Sequence, residues 1–400
     1  MKLADRIVVV GGSLAGVRTI ETLRERGYEG EIVALCGESE MPYDRPPLSK
    51  QFLKAGWEED RLSLRRSGFG ELEVDWRLGS QASSLDPGAR EIGLAGGTSL
   101  PYGGLVLATG SSPRRLPGAP SLAGMHELRS LSDARALRGD LAQASRLVVI
   151  GAGFIGMEVA ASARELGLEV TVVEALPTAL LRGLGGQLGE WAMGRFRDHG
   201  VEIRCGVAVE GFRGDVRVEA VTLGDGSLLE TDMVLVGIGV GPSCAWAENA
   251  GLDLSNGILC DGTGATPLPD VVAVGDVARW HNPTYGEAIR YEHWTSAVEQ
   301  SSVAAERLLA GQGTVKSLAQ VPYVWSDFFD LRLAIAGDVS GSDRMHVCQG
   351  GLDEEHFLVL FGREGKLCAA VGIKRPRPLN ACRELIREGV SFDEALEAFG

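Results

Sequence analysis

Two glycine-rich loops, each set between an apolar strand pattern and a helical one, limit what this chain can fold into more than any other feature. The first runs Arg6-Ile-Val-Val-Val-Gly11-Gly12-Ser13-Leu14-Ala15-Gly16, with apolar residues at helical spacing from Val17 to Arg24. The second runs Arg146-Leu-Val-Val-Ile-Gly151-Ala152-Gly153-Phe154-Ile155-Gly156 into another helix pattern. Glycines placed this way permit a tight strand-to-helix turn and let the backbone approach a pyrophosphate, which rests on the unpaired N–H groups of the helix N-terminus. One such loop is weak evidence, so the residues that follow it decide. The run from Glu31 to Cys36 leads to Glu38, and the run from Glu169 ends in Glu174. An acid there, roughly 20 residues past the loop, accepts the ribose hydroxyls of a bound adenosine. Loop, strand and acid recur in the same order, which predicts two Rossmann-like dinucleotide-binding domains. The rival reading makes one loop a plain turn, and Ser13 in place of a middle glycine is its best support.

A chain of 400 residues has room for two to three domains, and its 55 glycines are about twice the usual share, as expected where backbone lies against ligands. A formal charge of −15 argues against nucleic acid as the main partner, because phosphate backbones need a basic face. Seven scattered cysteines without a C-x-x-C pair suit buried thiols in a reducing cytoplasm. Six histidines show no ligand spacing, so no metal site is expected. The chain enters its first strand within a few residues of Met1 and holds no apolar run of membrane-span length, so neither a leader nor a membrane segment is expected.

The first unit continues through the proline-fixed loop Met41 to Lys50, which should lead into a helix, and closes on the strand Gly104 to Gly110. After a Pro/Arg/Gly-rich link from Ser111 to Gly124, the second unit begins near Arg146 and closes on Asp232 to Gly239. The matching closures suggest an internal duplication. A third buried strand ends at Gly275-Asp276, followed by Tyr291-Glu-His-Trp294 and a long helix from about Thr295 to Leu309. From about Gln320 alternating strand patterns and a last amphipathic helix near Asp393 to Phe399 predict a separate C-terminal α+β domain.

Six segments in this order carry a family resemblance: the first loop, Arg45-Pro-Pro-Leu-Ser-Lys50, Ala108-Thr-Gly110, the second loop with Glu158, Gly275-Asp276, and Trp325-Ser-Asp327. Over nearly its whole length the chain resembles the flavin-dependent ferredoxin reductases of cytochrome P450 and aromatic-ring dioxygenase systems, within the flavoprotein superfamily that includes glutathione reductase. The resemblance implies an FAD domain from residues 1–112 and 240–317, an NAD domain from 113–239 and a C-terminal α+β domain from 318–400. It implies that Gly11, Ser13, Ala15 and Gly16 meet the FAD pyrophosphate, Glu38 its adenosine ribose and Arg45 its phosphates. Ala82 and Arg129 would lie near the adenine end. Ala108, Thr109, Gly110, Gly275 and Asp276 complete the FAD set, with Asp276 on the ribityl chain, Lys50 beside the isoalloxazine ring, and Trp294 and Trp325 bordering the flavin. NADH would meet Gly151, Gly153, Ile155, Gly156, Glu158, Glu174, Gly239 and Glu292.

The chemistry follows from one absence. Disulfide reductases of that superfamily carry redox cysteines after the first acid, where this chain has Pro46-Pro-Leu-Ser-Lys50, and Cys36 is expected to be a buried structural thiol. Electrons must therefore leave the flavin for a docked partner, which by resemblance is a small iron–sulfur ferredoxin. Rubredoxin, a quinone, or a signalling role in which NADH drives dimerisation are the rivals. Lys50 is expected to stabilise charge arriving on the flavin and Glu158 to orient the nicotinamide carboxamide, although Glu158 also reads as an ordinary first-turn helix acid. Glu174 should repel the extra phosphate of NADPH, with no arginine following until Arg182, so NADH is the expected donor. Lys374, Arg375 and Arg377, with Arg290 and Arg332, form either a docking patch for an acidic partner or a solvated charge cluster.

Overall fold

The computed structural model describes residues 5–311 and 313–399. Its framework is set by short runs such as Ile7 to Val10 and Leu147 to Ile150, apolar on both faces and fully buried. Such runs belong at the centre of a parallel sheet covered on both sides. Two sheets of that kind form, each with five strands. The first has the order Val271–Ala273, Gly104–Leu107, Arg6–Val10, Glu31–Leu35, Val74–Arg77, all parallel. The second has the order Met125–His126, Met233–Val236, Arg146–Ile150, Glu169–Glu174, Glu202–Cys205, also all parallel.

The two sheets repeat one plan. In each, a loop-bearing strand lies at the centre and a three-stranded antiparallel sheet precedes the strand that closes the unit: Ala82–Asp86, Glu91–Leu94 and Ser99–Pro101 in the first, Val209–Arg213, Ala220–Leu223 and Leu228–Glu230 in the second. The fifth strand differs in origin. In the second sheet it comes just before the loop-bearing strand, whereas in the first it is the strand that leads to Gly275.

The chain divides into two compact units. Residues 1–44, 60–112 and 241–322 form the first; residues 45–59, 113–240 and 323–400 form the second. The long helix of the first unit spans Trp294–Ala310, close to its expected extent. Within the second unit, Tyr323–Phe328, Leu331–Gly337, Lys366–Ile373, Phe357–Arg363 and Arg344–Gly350 form an antiparallel sheet in that spatial order. The helices Pro376–Glu388 and Phe392–Phe399 follow it. The mixed α/β class with an α+β C-terminal part is as expected from sequence.

Three local readings differ. The second βαβ stretch begins at Arg146 as expected, but the segment between the Pro/Arg/Gly-rich link and that strand, for which no element was expected, forms the Met125–His126 strand and a helix over Leu131–Leu141 whose capping box joins Ser130 to Asp133. The segment after Arg45 makes only a 3-10 turn, Pro46–Ser49, and Lys50 departs from helical geometry at φ −127°, ψ −93°. The basic run at Lys374 opens a helix with Pro376 in its first turn, burying Leu379, Cys382 and Ile386 on one face. Among the described residues no helix is long and apolar enough to cross a membrane.

The C-terminal hairpin is locked by aromatic packing inside the second unit. Phe196, fully buried on the helix Leu181–Asp198, lies 5.2 Å from the Phe328 ring and 5.0 Å from the Phe329 ring. Phe196→Ala is expected to lower stability by about 3–5 kcal/mol, the usual cost of emptying a buried ring site. Urea unfolding of purified protein measures it, and a loss under about 1 kcal/mol would show that the site collapses freely.

Candidate active site

In the first unit the loop is squeezed between two chain segments, which is why glycine recurs there. A Cβ on Gly11 would stand 2.1 Å from the Ala108 carbonyl oxygen, and Gly11 adopts φ +124°. A Cβ on Gly16 would stand 2.0 Å from the Gly11 oxygen, and one on Gly12 would strike the Cys36 sulfur. Ser13 takes extended backbone angles at the N-cap position of the helix Leu14–Glu25, so the fold accepts a side chain there. Ala15 faces Gly275, where a Cβ would come within 2.9 Å of the Ala15 methyl. These glycines let the loop close tightly at the N-terminus of a 12-residue helix, the kind of helix end that suits a diphosphate.

The other first-unit positions are held by hydrogen bonds. Gly275 N–H donates to Gln300 Oε1 at 2.9 Å, Asp276 Oδ2 accepts from Ser111 at 2.7 Å, and the Asp276 carbonyl accepts from Arg290 at 3.0 Å. Thr109 donates to the Ser243 carbonyl at 2.6 Å. Glu38 accepts the Tyr43 hydroxyl, and Trp294 donates to Asp44 at 2.9 Å. Ala82 is buried at the start of its strand. Glu292 pairs with Arg290 at 2.7 Å. Arg290 also donates to Asn256, and its side chain is only 8% exposed, so it is a structural tie and not a solvated docking charge.

The second unit repeats the cradle. A Cβ on Gly151 would lie 2.4 Å from the Gly237 carbonyl oxygen, and one on Gly156 would lie 2.1 Å from that of Gly151. Gly153 is different. It has an ordinary φ of −77°, and a Cβ there would meet nothing within 4 Å. The protein itself does not require glycine at that point, which fits a position kept bare for a ligand. Glu174 accepts the Ala152 N–H at 2.8 Å and the Leu176 N–H at 2.9 Å, one on each oxygen, and keeps lone pairs for further donors. Ile155 projects into solvent on the first turn, and Gly239 takes φ +97° with its carbonyl accepting from Arg114.

Lys50 and Glu158, 108 residues apart in sequence, meet inside the second unit. Lys50 Nζ lies 2.7 Å from Glu158 Oε2, and the two residues are 7% and 3% exposed. Two serines complete the cluster: Ser49 Oγ donates to Oε2 at 2.5 Å, and Ser326 Oγ donates to Oε1 at 2.7 Å. Lys50 also reaches Ser49 Oγ at 3.1 Å, and Ser162 fixes the Ser49 carbonyl at 2.8 Å. Both serines stand inside segments singled out from sequence, yet only their neighbours Lys50 and Trp325 were chosen there. Arg45 donates to the Arg129 carbonyl, so those two positions are also adjacent. Trp325 is half-buried with the Arg332 guanidinium 5.7 Å from its ring, and Lys374 is exposed beside Glu355.

None of the seven cysteines is in a disulfide. Burial, reinforced by Glu38, pushes the Cys36 thiol up to about 12, so it stays protonated near neutral pH. Burial raises Cys382 to about 12 and Cys368 to about 11. The remaining thiols are raised as well, chiefly by burial.

Two cradles for dinucleotides, a buried Lys50–Glu158 ion pair and inert thiols define a pyridine-nucleotide flavoprotein. The chain belongs to the pyridine nucleotide-disulphide oxidoreductase family, whose model matches residues 5–301, and a reductase C-terminal model matches residues 323–398. It is 37% identical over 394 residues to the ferredoxin–NAD(+) reductase component of the anthranilate 1,2-dioxygenase system of Burkholderia cepacia, covering 98% of this chain and 96% of that one. It is 34% identical to putidaredoxin reductase of Pseudomonas putida, covering 99% and 95%. Among solved structures, the covalent putidaredoxin reductase–putidaredoxin complex matches with TM-score 0.92 at 33% identity, over 97% of this chain and 94% of that one. The ferredoxin reductase for the CYP199A2 system of Rhodopseudomonas palustris matches with TM-score 0.93 at 33% identity, over 99% and 100%.

A buried pair of this kind is worth most as a unit, because each charge alone is stranded from water. Lys50→Met and Glu158→Gln should each lower stability by about 3–5 kcal/mol. The double variant should lose clearly less than the two single losses added, as chemical denaturation of all four proteins measures.

Proposed function

We propose that this chain takes a hydride from NADH and delivers electrons singly to a small iron–sulfur ferredoxin that serves a cytochrome P450 or a ring-hydroxylating dioxygenase. The observation that carries this reading is a pair of nucleotide cradles together with a buried Lys50–Glu158 pair whose lysine stands on the segment after the first acid, where no cysteine is found. FAD, when bound, supplies the conversion of one hydride into two single electrons. The protein's part is to hold, orient and exclude water.

In this reading residues 1–112 and 240–317 form the FAD domain, 113–239 the NAD domain and 318–400 the C-terminal domain. Gly11, Ser13, Ala15, Gly16, Gly275 and Asp276 would hold FAD along its diphosphate and ribityl chain, Glu38 its ribose, and Arg45, Ala82 and Arg129 its adenosine-diphosphate end. Thr109, Trp294 and Trp325 complete that set. Gly151, Gly153, Ile155, Gly156, Gly239 and Glu292 would hold NADH. Glu174, already fixed by the Ala152 and Leu176 amides, would accept the ribose hydroxyls and repel a phosphate there. Lys50 would hold a fixed positive charge beside a bound flavin, where it would offset negative charge acquired in hydride transfer without acting as a general base. Glu158 keeps that lysine in place and presents an acceptor to the carboxamide. The protein works in the cytoplasm, where reducing conditions suit seven unpaired cysteines.

The test is an anaerobic NADH titration of the purified yellow protein, followed by candidate ferredoxins with cytochrome c as final acceptor. Expected are stoichiometric bleaching, ferredoxin-dependent turnover, and kcat/KM for NADH at least tenfold above that for NADPH. Bleaching without onward transfer to any ferredoxin would contradict the reading, as would equal use of the two nucleotides for the role of Glu174.

A further inference from the structure

The Glu158 carboxylate offers about four lone-pair directions, and the structure fills three. Oε2 takes Ser49 and Lys50, and Oε1 takes Ser326. One acceptor direction is left over, on the oxygen that Ser326 grips. Two donors on Oε2 alone would let the carboxylate pivot about that oxygen. The bond at Oε1 stops the pivot and so sets where the last lone pair points.

Ser326 is built into the fold for such a bond. It lies on the Tyr323–Phe328 strand, paired across the sheet with Leu333, and strand alternation turns Ser326 and Phe328 inward while Trp325 and Asp327 face the other way. It is 0% exposed. A fully buried strand position is ordinarily apolar, so a hydroxyl there, 2.7 Å from a buried carboxylate, needs a reason beyond packing.

We infer that Ser326 is a positioning residue for the nicotinamide half of NADH: it aims the remaining Glu158 Oε1 acceptor at the carboxamide N–H. This rests on the reading of Glu158 given above. The adenosine half is held elsewhere in the reading, by Glu174 and the second loop, so the effect of Ser326 is confined to the nicotinamide end.

Calorimetric titration of the oxidised holoprotein with two ligands tests it without turnover: tetrahydro-NADH, a redox-inert mimic that keeps the carboxamide, and ADP-ribose, which lacks the nicotinamide. Ser326→Ala should weaken tetrahydro-NADH roughly tenfold, about 1.4 kcal/mol, and leave ADP-ribose within about twofold. Ser326→Thr, which keeps the hydroxyl, should restore most of the loss. Phe328→Leu, which loosens the same strand without removing a hydrogen bond, should leave the ratio of affinities unchanged. Should Ser326→Ala fail to accumulate, Ser326→Cys, a weak donor, must show the same selective loss. Equal weakening of both ligands, or of neither, overturns the inference. Glu158→Gln separates the two levels: an unchanged ratio there removes the reading of Glu158 itself, whereas a changed ratio there with none in Ser326→Ala removes only the role of Ser326.

Discussion

An ammonium and a carboxylate, both withdrawn from water, face each other at 2.7 Å in the second unit, and the chemistry proposed for the molecule depends on their staying there. Each has given up several kcal/mol of hydration, and the attraction between them only about offsets that loss. Hydroxyls from Ser49 and Ser326 complete the coordination of the carboxylate. The cluster is thus a weak contributor to stability and a strong determinant of geometry. A charge fixed before the reaction needs no solvent to rearrange when new charge appears beside it.

The rest of the architecture is one plan used twice, with differences that separate two tasks. Gly11 and Gly151 are each pressed against the carbonyl that ends a neighbouring strand, and Gly16 and Gly156 against their own loop, so these four are demanded by the backbone. The middle position is not. The first loop carries Ser13 there and the second carries Gly153 facing open space, so the fold itself does not demand glycine at that point. Ser13 is therefore no argument for a vestigial turn. The strand leading to Gly275 completes the first sheet late in the chain, which brings Asp276 and the Trp294–Ala310 helix to the same end as the first loop.

What could be read from sequence was local or periodic. The loops, Glu38 and Glu174 follow one another within a single βαβ stretch, and the buried strands announce themselves as unbroken apolar runs. Lys50 and Glu158 were legible only through resemblance, since no spacing rule joins residues 108 positions apart. Ser326, 168 positions from Glu158, carried no signal beyond an odd hydroxyl at an inward strand position. The Leu131–Leu141 helix was hidden behind a Pro/Gly-rich link, although Ser130 and Asp133 mark its start. The Pro376–Glu388 helix was hidden because its first turn reads as a basic, proline-broken loop, when proline in a first turn is compatible with a helix. Arg290 looked like a surface charge, and only tertiary structure shows it tied to Asp276, Asn256 and Glu292.

The claim that a prearranged positive charge aids hydride arrival is tested most directly by rapid-mixing absorbance of Lys50→Met protein that still holds one FAD per chain. Mixed anaerobically with saturating NADH, it should bleach roughly 100-fold more slowly than the unaltered protein, the scale expected when one preorganised electrostatic group is removed. An unchanged bleaching rate at full flavin occupancy would contradict the claim.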